Sequence, residues 1–191
     1  MLTNEVSNYR IRVRRKKLVD SLLFFHHRRI DKALRDLAKR YNSPTCKVIE
    51  VGAGTKALAH KRLFNKAYFI ATDIEKYDGI DDVVDITSPR SLASDFFDLI
   101  ICTNVLEHIP DPHRAVNEMH RALKRGGELF LVTPFLFPIH DPPHDFYRYT
   151  EYALIEMLKE FSRVSIQKIH LFSRYGLFDR LILYYITQAV K

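Results

Sequence analysis

A glycine-rich turn follows an apolar run near residue 50, and its residue types suit a ligand that carries an ammonium group. The segment reads Val48-Ile49-Glu50-Val51-Gly52-Ala53-Gly54-Thr55. Glycines between a strand and a helix let a ligand approach the backbone, and the helix start offers free N–H groups. An acidic side chain before the first glycine attracts an ammonium group and repels a pyrophosphate. The letters also fit the dinucleotide pattern G-x-G-x-x-A, so the turn alone leaves both ligands open.

Acidic residues end the next two predicted strands. Asp73 comes 21 residues after Gly52, and a carboxylate at that position can accept hydrogen bonds from both hydroxyls of a ribose. Asp85 ends the third predicted strand and could accept from an adenine amino group. The structural alternative is that Asp73 only caps a turn. These carboxylates favour an adenosine-containing ligand without deciding which one.

A third set of motifs follows the fourth predicted strand. The segment from Phe97 to Pro112 contains the step Leu106-Glu107-His108, and the pair Gly126-Gly127 precedes the fifth strand. Together with the acidic-glycine turn, this segment resembles class I S-adenosylmethionine-dependent methyltransferases over residues 45 to 165. The chain departs from the family pattern at Lys56, where many members have a third glycine.

The resemblance implies S-adenosylmethionine as the cofactor and assigns its contacts. The cofactor-binding candidates are Glu50, Gly52, Gly54, Asp73, Ile74, Asp85, Ile86, Asn104 and Leu106. By resemblance, the residues of the glycine turn would cradle the methionine part and Asp73 would hold the ribose. Asp85 and Ile86 would flank the adenine, and the last two residues would line the inner wall of the site.

Three histidines are candidates for a catalytic base: His108, His140 and His144. The ordinary pKa of histidine is near neutral, so it can deprotonate an acceptor hydroxyl. The alternative for His108 is that it only shapes the pocket. No metal site is expected, because the two His-Asp pairs after the fifth strand are separated by prolines and lack helical i, i+4 spacing.

A long irregular segment, residues 134–149, follows the fifth predicted strand and is typical of a lid. Its substrate-facing candidates are Asp145, Tyr147, Arg148 and Tyr149. The structural alternative is that Asp145 and Arg148 form an ion pair that pins the segment.

Alternating apolar strands and amphipathic helices must position these residues. They predict an α/β fold, a Rossmann-like, doubly wound and mostly parallel sheet in a single domain. Residues 1–17 form a basic arm, and residues 18–191 form the domain with an N-terminal helix over Leu18 to Tyr41. Residues 174–190 read as a very apolar C-terminal helix, so the last antiparallel strand of the family fold is expected to be missing or modified. A further helix is expected to begin at Asp111-Pro112 and to end at Gly126-Gly127.

Charge divides the chain of 191 residues unevenly. Residues 1–45 hold 12 basic and 4 acidic side chains, whereas residues 46–191 hold 18 and 19. The basic segment could meet RNA, an anionic lipid or an acidic substrate, or be a solvated helix face. A hydrophobic share of 47% excludes intrinsic disorder. The cysteines, Cys46 and Cys102, do not make a disulfide framework, and we expect a reduced cytoplasmic protein without a signal peptide or membrane span.

These observations predict methyl transfer to a small-molecule or glycan acceptor, at oxygen. The alternatives are an RNA methyltransferase that uses the basic segment, a non-catalytic S-adenosylmethionine-binding subunit, and an NAD-binding protein. Nucleic acid is possible but not favoured, because no RNA-binding domain is added and the basic residues lack interleaved aromatics. The apolar C-terminal segment needs a cover, so a homodimer is expected, with peripheral contact to a membrane as the second choice.

Overall fold

A seven-stranded sheet organises residues 28–170 and 182–191, which the computed structural model describes. Its strands are β1 (Lys47–Val51), β2 (Tyr68–Asp73), β3 (Asp82–Val83), β4 (Phe97–Thr103), β5 (Leu123–Pro134), β6 (Arg163–His170) and β7 (Ile182–Val190). Their order is β3-β2-β1-β4-β5-β7-β6. The first five strands are parallel, and β7 runs antiparallel to both β5 and β6. The predicted α/β, mostly parallel fold is therefore confirmed.

Four α-helices lie in the described residues and pack on the sheet. They are α1 (residues 28–41), α2 (Ala57–Leu63), α3 (Pro112–Ala122) and α4 (Glu151–Met157). The predicted start of α3 is confirmed, since Asp111 accepts a hydrogen bond from the N–H of Arg114 and proline holds the first helical position. Among these helices none is long and apolar enough to cross a membrane.

The amphipathic pattern of α1 matches its packing. Its apolar stripe is buried against the sheet, while its basic residues are exposed: Arg28, Arg29, Lys32, Arg35 and Lys39. Asp36 accepts hydrogen bonds from two of these lysines, at 2.9 and 2.7 Å. The described basic residues thus form a solvated helix face. The predicted basic arm over residues 1–17 and the predicted helix start at Leu18 lie outside the described residues.

The prediction of a C-terminal helix is wrong for Ile182–Val190, which is the strand β7. A short apolar run has the same periodicity in a buried helix and in a buried strand, so hydrophobicity alone could not decide. The closing antiparallel hairpin of β6 and β7 is therefore present and not missing. Tyr184, Tyr185 and Ile186 are buried within the domain, which removes the reason for expecting a homodimer or a membrane at this strand. The remainder of the predicted helix, up to residue 181, lies outside the described residues.

The glycine pair Gly126-Gly127, which was predicted to end α3, lies inside β5 instead. The helix α3 ends at Ala122, and β5 begins at Leu123, before Gly126-Gly127. The register of β4 with β5 shifts here, from Phe97 opposite Leu123 to Leu99 opposite Glu128. Gly126 has a φ of +79°, so the glycines permit an irregularity inside the strand instead of ending the helix.

Candidate active site

A cavity of about 350 Å³ opens at the carboxyl ends of β1 and β2 and under the turn after β4. Its lining consists of Val51, Gly52, Asp73, Ile74, Val84, Asp85, Ile86, Thr87, Val105, His108, Ile109 and Pro110. The strand order turns outward in both directions from the β1–β4 pair, which is where ligands bind in sheets of this kind. The volume and the mostly apolar lining with a few polar groups are typical of a small-molecule site.

The floor of the cavity depends on the lack of a side chain at Gly52. Its φ is +70°, and a Cβ atom there would lie 2.2 Å from Cγ2 of Val105. The glycine therefore lets the turn after β1 meet the turn after β4 without a clash. The contact joins the two segments that the sequence motifs single out.

Asp73 ends β2 and binds the glycine turn through backbone donors. Its Oδ2 accepts a hydrogen bond from the N–H of Gly54 at 2.9 Å, and its Oδ1 accepts from the N–H of Glu75 at 3.2 Å. Each carboxylate oxygen has two lone pairs, so both can still accept from a ligand hydroxyl. The predicted ribose contact is compatible with this geometry.

Asp85 also lines the cavity, but its oxygens already bind its own turn. Its Oδ1 accepts from the N–H and the hydroxyl of Thr87, at 2.9 and 2.6 Å, and its Oδ2 accepts from the hydroxyl of Ser88 at 3.1 Å. The hydrogen bonds from Thr87 hold the pKa of Asp85 below its ordinary value. This carboxylate therefore holds the turn that presents Ile86, and its predicted contact with an adenine amino group stays a prediction.

The predicted cofactor residues divide into two groups. Those in the cavity lining are Gly52, Asp73, Ile74, Asp85 and Ile86, and those outside it are Glu50, Gly54, Asn104 and Leu106. The Glu50 carboxylate is buried and lies 2.7 and 2.8 Å from Nδ1 of His60 on α2, so it faces away from the cavity. Leu106 is fully buried in the core. Cofactor contacts of both groups stay predictions.

Other cavity residues were not singled out by the motifs. Val105, Ile109 and Pro110 line one wall, although in the sequence only their neighbours Asn104, Leu106 and His108 were candidates. The sequence feature that could have identified these three residues is their position in the turn after β4. Lys56, the departure from the family pattern, is exposed and is not part of this lining.

Beside the cavity, His108 meets two further polar side chains in a Glu–His–His triad formed by Glu107, His108 and His140. Oε1 of Glu107 lies 3.9 Å from Nε2 of His108 and 4.0 Å from Nε2 of His140. The two imidazole rings pack edge to face with their centroids 4.8 Å apart. Glu107 is fully buried, and the loss of hydration raises its pKa to about 8. Sequence reasoning missed Glu107 as a functional candidate, although it stands inside the quoted Leu-Glu-His step.

The segment after β5 is bound to the turn after β4 and forms the β5–α4 loop, residues 135–149. The N–H of Phe146 donates to the carbonyl oxygen of Glu107 at 2.8 Å. The hydroxyl of Tyr147 donates to the carbonyl of Pro110 at 2.9 Å, and that of Tyr149 donates to the carbonyl of Leu106 at 2.8 Å. These two predicted substrate residues therefore attach the loop to the site.

An ion pair inside the loop orients one member of the triad. Arg148 donates to both carboxylate oxygens of Asp145, at 2.5 and 2.7 Å, and to the carbonyls of Phe137 and Pro138. The guanidinium holds the pKa of Asp145 well below its ordinary value. Oδ2 of Asp145 also accepts from the backbone N–H of His140 at 2.8 Å. The pair thus pins the loop, as the structural alternative for these residues foresaw.

The third candidate base, His144, lies apart from the triad. Its side chain is exposed, and its ring contacts Phe146 at a centroid distance of 6.2 Å. Its carbonyl oxygen lies 2.5 Å from Nδ1 of His108. The structure therefore brings His108 and His140 together. The backbone carbonyl of His144 holds the ring of His108.

The residues present fit an adenosine-containing cofactor. Gly52 leaves room where a side chain would clash, Asp73 keeps free lone pairs, and the apolar lining suits a purine. Residues 23–178 match a family model described as a methyltransferase domain. The chain therefore belongs to the methyltransferase domain family, and its cofactor is S-adenosylmethionine. This membership confirms the resemblance and decides between the two ligands that the glycine turn left open.

Curated relatives carry the name ubiquinone biosynthesis O-methyltransferase. The chain is 27% identical over 109 residues to that protein from Pseudomonas syringae pv. tomato, covering 50% of this chain and 47% of the relative. It is 29% identical over 111 residues to the protein from Xanthomonas oryzae pv. oryzae, with coverages of 51% and 46%. The chain spans about half the length of these relatives and 16% of the Pseudomonas aeruginosa protein, in a shorter match.

Solved structures share the fold. A putative methyltransferase from Bacillus halodurans has a TM-score of 0.61 and 15% identity, with 84% of this chain and 97% of that chain covered. An S-adenosylmethionine-dependent methyltransferase from Archaeoglobus fulgidus has a TM-score of 0.61 and 16% identity, with coverages of 84% and 94%. At these identities the likeness concerns the Rossmann-like architecture with its antiparallel final strands.

Proposed function

We propose that this chain transfers the methyl group of S-adenosylmethionine to an oxygen atom of a small molecule. The observation that carries the proposal is the position of His108, which belongs both to the cavity lining and to the triad. An acceptor hydroxyl that reaches the triad would stand next to the cofactor. Its hydrogen would meet the Nε2 atoms of His108 and His140, whose lone pairs accept it when the rings are neutral.

The reaction needs alignment of the acceptor and removal of one proton. When bound, S-adenosylmethionine supplies an electrophilic methyl group, whose bond to sulfur breaks as a bond to the acceptor oxygen forms. The hydroxyl proton leaves to the triad and then to water. The β5–α4 loop, held to the turn after β4 by Tyr147 and Tyr149, positions the acceptor and keeps water out.

The rim of the site supports an acceptor with an apolar or aromatic body. Several large side chains of the β5–α4 loop, which carries His140, are exposed: Phe135, Leu136, Ile139, Phe146 and Tyr147. Exposed apolar groups gathered near a polar site are typical of a binding surface. The names of the curated relatives also support oxygen as the acceptor atom. A glycan acceptor fits this rim less well, because sugars present mostly hydroxyls.

The described basic residues favour no nucleic-acid function. On α1, Lys32 and Lys39 both bind Asp36, and Arg40 donates to both carboxylate oxygens of Glu128 at 2.9 and 3.1 Å. These three basic side chains form ion pairs within the domain. A cytoplasmic location and a homodimer stay predictions of the sequence.

The test is methyl transfer from isotope-labelled S-adenosylmethionine to a panel of phenols, catechols, amines, glycans and RNA, read by mass spectrometry. We expect a labelled methyl group on a phenolic or catechol oxygen, with one equivalent of S-adenosylhomocysteine released per product. The variant His140→Ala should lower kcat while calorimetry finds unchanged S-adenosylmethionine affinity, because His140 is outside the cavity lining. Label only on nitrogen, carbon or RNA, or no label despite cofactor binding, would contradict the proposal.

A further inference from the structure

The triad holds acceptor atoms that face one another without a donor between them. One oxygen of Glu107 and one ring nitrogen each of His108 and His140 all lie within 4.8 Å of one another. Both carboxylate oxygens of Glu107 are buried, and neither has a hydrogen-bond partner among the described residues. A buried carboxylate without a partner is costly, so the ionised form of Glu107 needs a positive charge beside it.

In each ring, the hydrogen-bond partner of Nδ1 determines which nitrogen carries the hydrogen. The other nitrogen, Nε2, then faces Glu107 with a lone pair. Nδ1 of His108 lies 2.5 Å from the carbonyl oxygen of His144, and a carbonyl can only accept. Nδ1 of His140 lies 3.3 Å from the carbonyl oxygen of Pro138, which can also only accept, and this contact is shorter than the 3.5 Å to the Arg148 guanidinium nitrogen. In both neutral rings the hydrogen is on Nδ1, and Nε2 presents its lone pair to the shared space.

This pattern is the one that proteins use around metal-binding histidines. A metal-bound imidazole donates its other N–H to a carbonyl or a carboxylate, which sets the tautomer and the ring orientation. Here His108 uses the carbonyl of His144, and His140 uses the carbonyl of Pro138. The carbonyl of Pro138 also accepts a hydrogen bond from Arg148, at 3.0 Å. Both rings are thus oriented by contacts that do not involve Glu107.

We propose that Glu107, His108 and His140 bind a divalent transition-metal ion of the zinc type. Two imidazoles and one carboxylate suit zinc and its neighbours, whereas magnesium and calcium prefer oxygen ligands throughout. Ligand atoms around a tetrahedral zinc ion are about 3.4 Å apart. The distances of 3.9 and 4.0 Å from Glu107 to the two nitrogens therefore need to shorten by only about half an ångström on binding.

Three protein ligands would leave a coordination position open for a further ligand, and one of the three, His108, also lines the cofactor cavity. The role of the ion rests on the function proposed above: in place of the free triad atoms, it would bind the acceptor oxygen, lower the pKa of its hydroxyl so that the proton passes directly to water, and orient it for methyl transfer. The site itself does not rest on that function. It also goes against the expectation of no metal, which considered only the His-Asp pairs of the β5–α4 loop and not Glu107.

The test is metal binding by the full chain after removal of metal with EDTA. Calorimetric titration with Zn²⁺ should show one tight site per chain, and Co²⁺ should give the visible absorption of a tetrahedral complex. The variants Glu107→Gln and His140→Ala should lower the affinity by about 100-fold or more. The matched control is His144→Ala, which keeps the carbonyl that holds His108 and should bind Zn²⁺ as the wild type does.

Three results would overturn the metal site: no stoichiometric binding, binding that both triad variants retain, or binding that His144→Ala abolishes. Circular dichroism and S-adenosylmethionine affinity in EDTA would show whether Glu107→Gln is folded, and His140→Ala changes only a partly exposed residue. The two proposals fail separately. If the chain binds no metal and methyl transfer to oxygen persists in EDTA, only the proposed metal site is contradicted. If the chain binds metal stoichiometrically but transfers no methyl group, only the proposed function is contradicted.

Discussion

Nε2 of His140 lies 4.0 Å from Oε1 of Glu107, and this pair joins the loop after β5 to the turn after β4. The two residues lie on different segments of the chain, so contacts between these segments must bring them together. The N–H of Phe146 binds the backbone carbonyl of Glu107 at 2.8 Å, while Asp145 binds the backbone and the ring of His140. The loop therefore carries its histidine to the edge of the cofactor cavity, where an acceptor must bind.

Replacing Asp73 by Asn should weaken S-adenosylmethionine binding by about tenfold, because a charged acceptor for the ribose hydroxyls becomes a neutral one. Isothermal titration calorimetry measures the change. The control is Asp82→Asn, an exposed carboxylate on β3 outside the cavity lining. Equal affinities of the Asp73 variant and the wild type would show that this carboxylate does not contact the cofactor.

Gly52→Ala should destabilise the domain by about 3 kcal/mol, because it combines left-handed backbone strain with a clash against Val105. Gly126→Ala is the matched control, since Gly126 also has a positive φ but nothing lies within 4 Å of the added Cβ. We expect a cost of about 1–2 kcal/mol there, from backbone strain alone. Urea unfolding measures both. In a Val105→Ala background the cost of Gly52→Ala should fall, and an unchanged cost would exclude the clash.

Arg148→Lys should loosen the β5–α4 loop while the charge is kept. Lysine cannot reproduce the paired hydrogen bonds to Asp145 together with those to the carbonyls of Phe137 and Pro138. Hydrogen exchange at the amides of His140 and Phe146 should accelerate by about tenfold. Arg125→Lys, at an exposed position before the glycine pair, should leave these amides unchanged. Equal protection in the two variants would mean that the loop is held without the ion pair.

Glu118→Gln should destabilise the domain at neutral pH by about 1–2 kcal/mol. Glu118 accepts from the N–H of Leu92 and from Arg121, and the hydrogen bond to Arg121 lowers its pKa from 4.5 to about 2. A depressed pKa stabilises the fold above pH 4.5, and this stability is lost as the pH falls toward 2. The difference between variant and wild type, from urea unfolding at several pH values, should shrink over that interval.

The matched control for this carboxylate is Glu156→Gln on α4. Glu156 also pairs with a basic residue three positions away, Lys159, but both side chains are exposed to water. Water screens such pairs, so the variant should change stability little at any pH. A pH-independent effect of Glu118→Gln would assign its cost to packing and not to the ionised carboxylate.

Local patterns were sufficient for most of the fold and for the cofactor. Periodic apolar residues predicted β1, β4 and the stripe of α1, and Asp111-Pro112 marked the start of α3. These features depend on neighbours in the chain, which is why sequence reasoning reaches them. The same reasoning failed for Ile182–Val190, since an apolar run reveals burial but not whether a helix or two neighbouring strands satisfy its backbone.

The sequence by itself indicated the strand ends where ligands bind and, through the resemblance of several motifs taken together, the family and its cofactor, because these motifs are short segments such as the glycine turn and the Leu-Glu-His step. Only the tertiary structure decided which polar groups meet. Glu50 is turned to His60, and Glu107 is turned to His108 and His140. For Glu107 the physical reason is that hydrogen bonds between the turn after β4 and the β5–α4 loop bring His140 to it, and no pattern within either segment records that contact. For Glu50 it is the packing of α2 beside β1, which places His60 against its carboxylate.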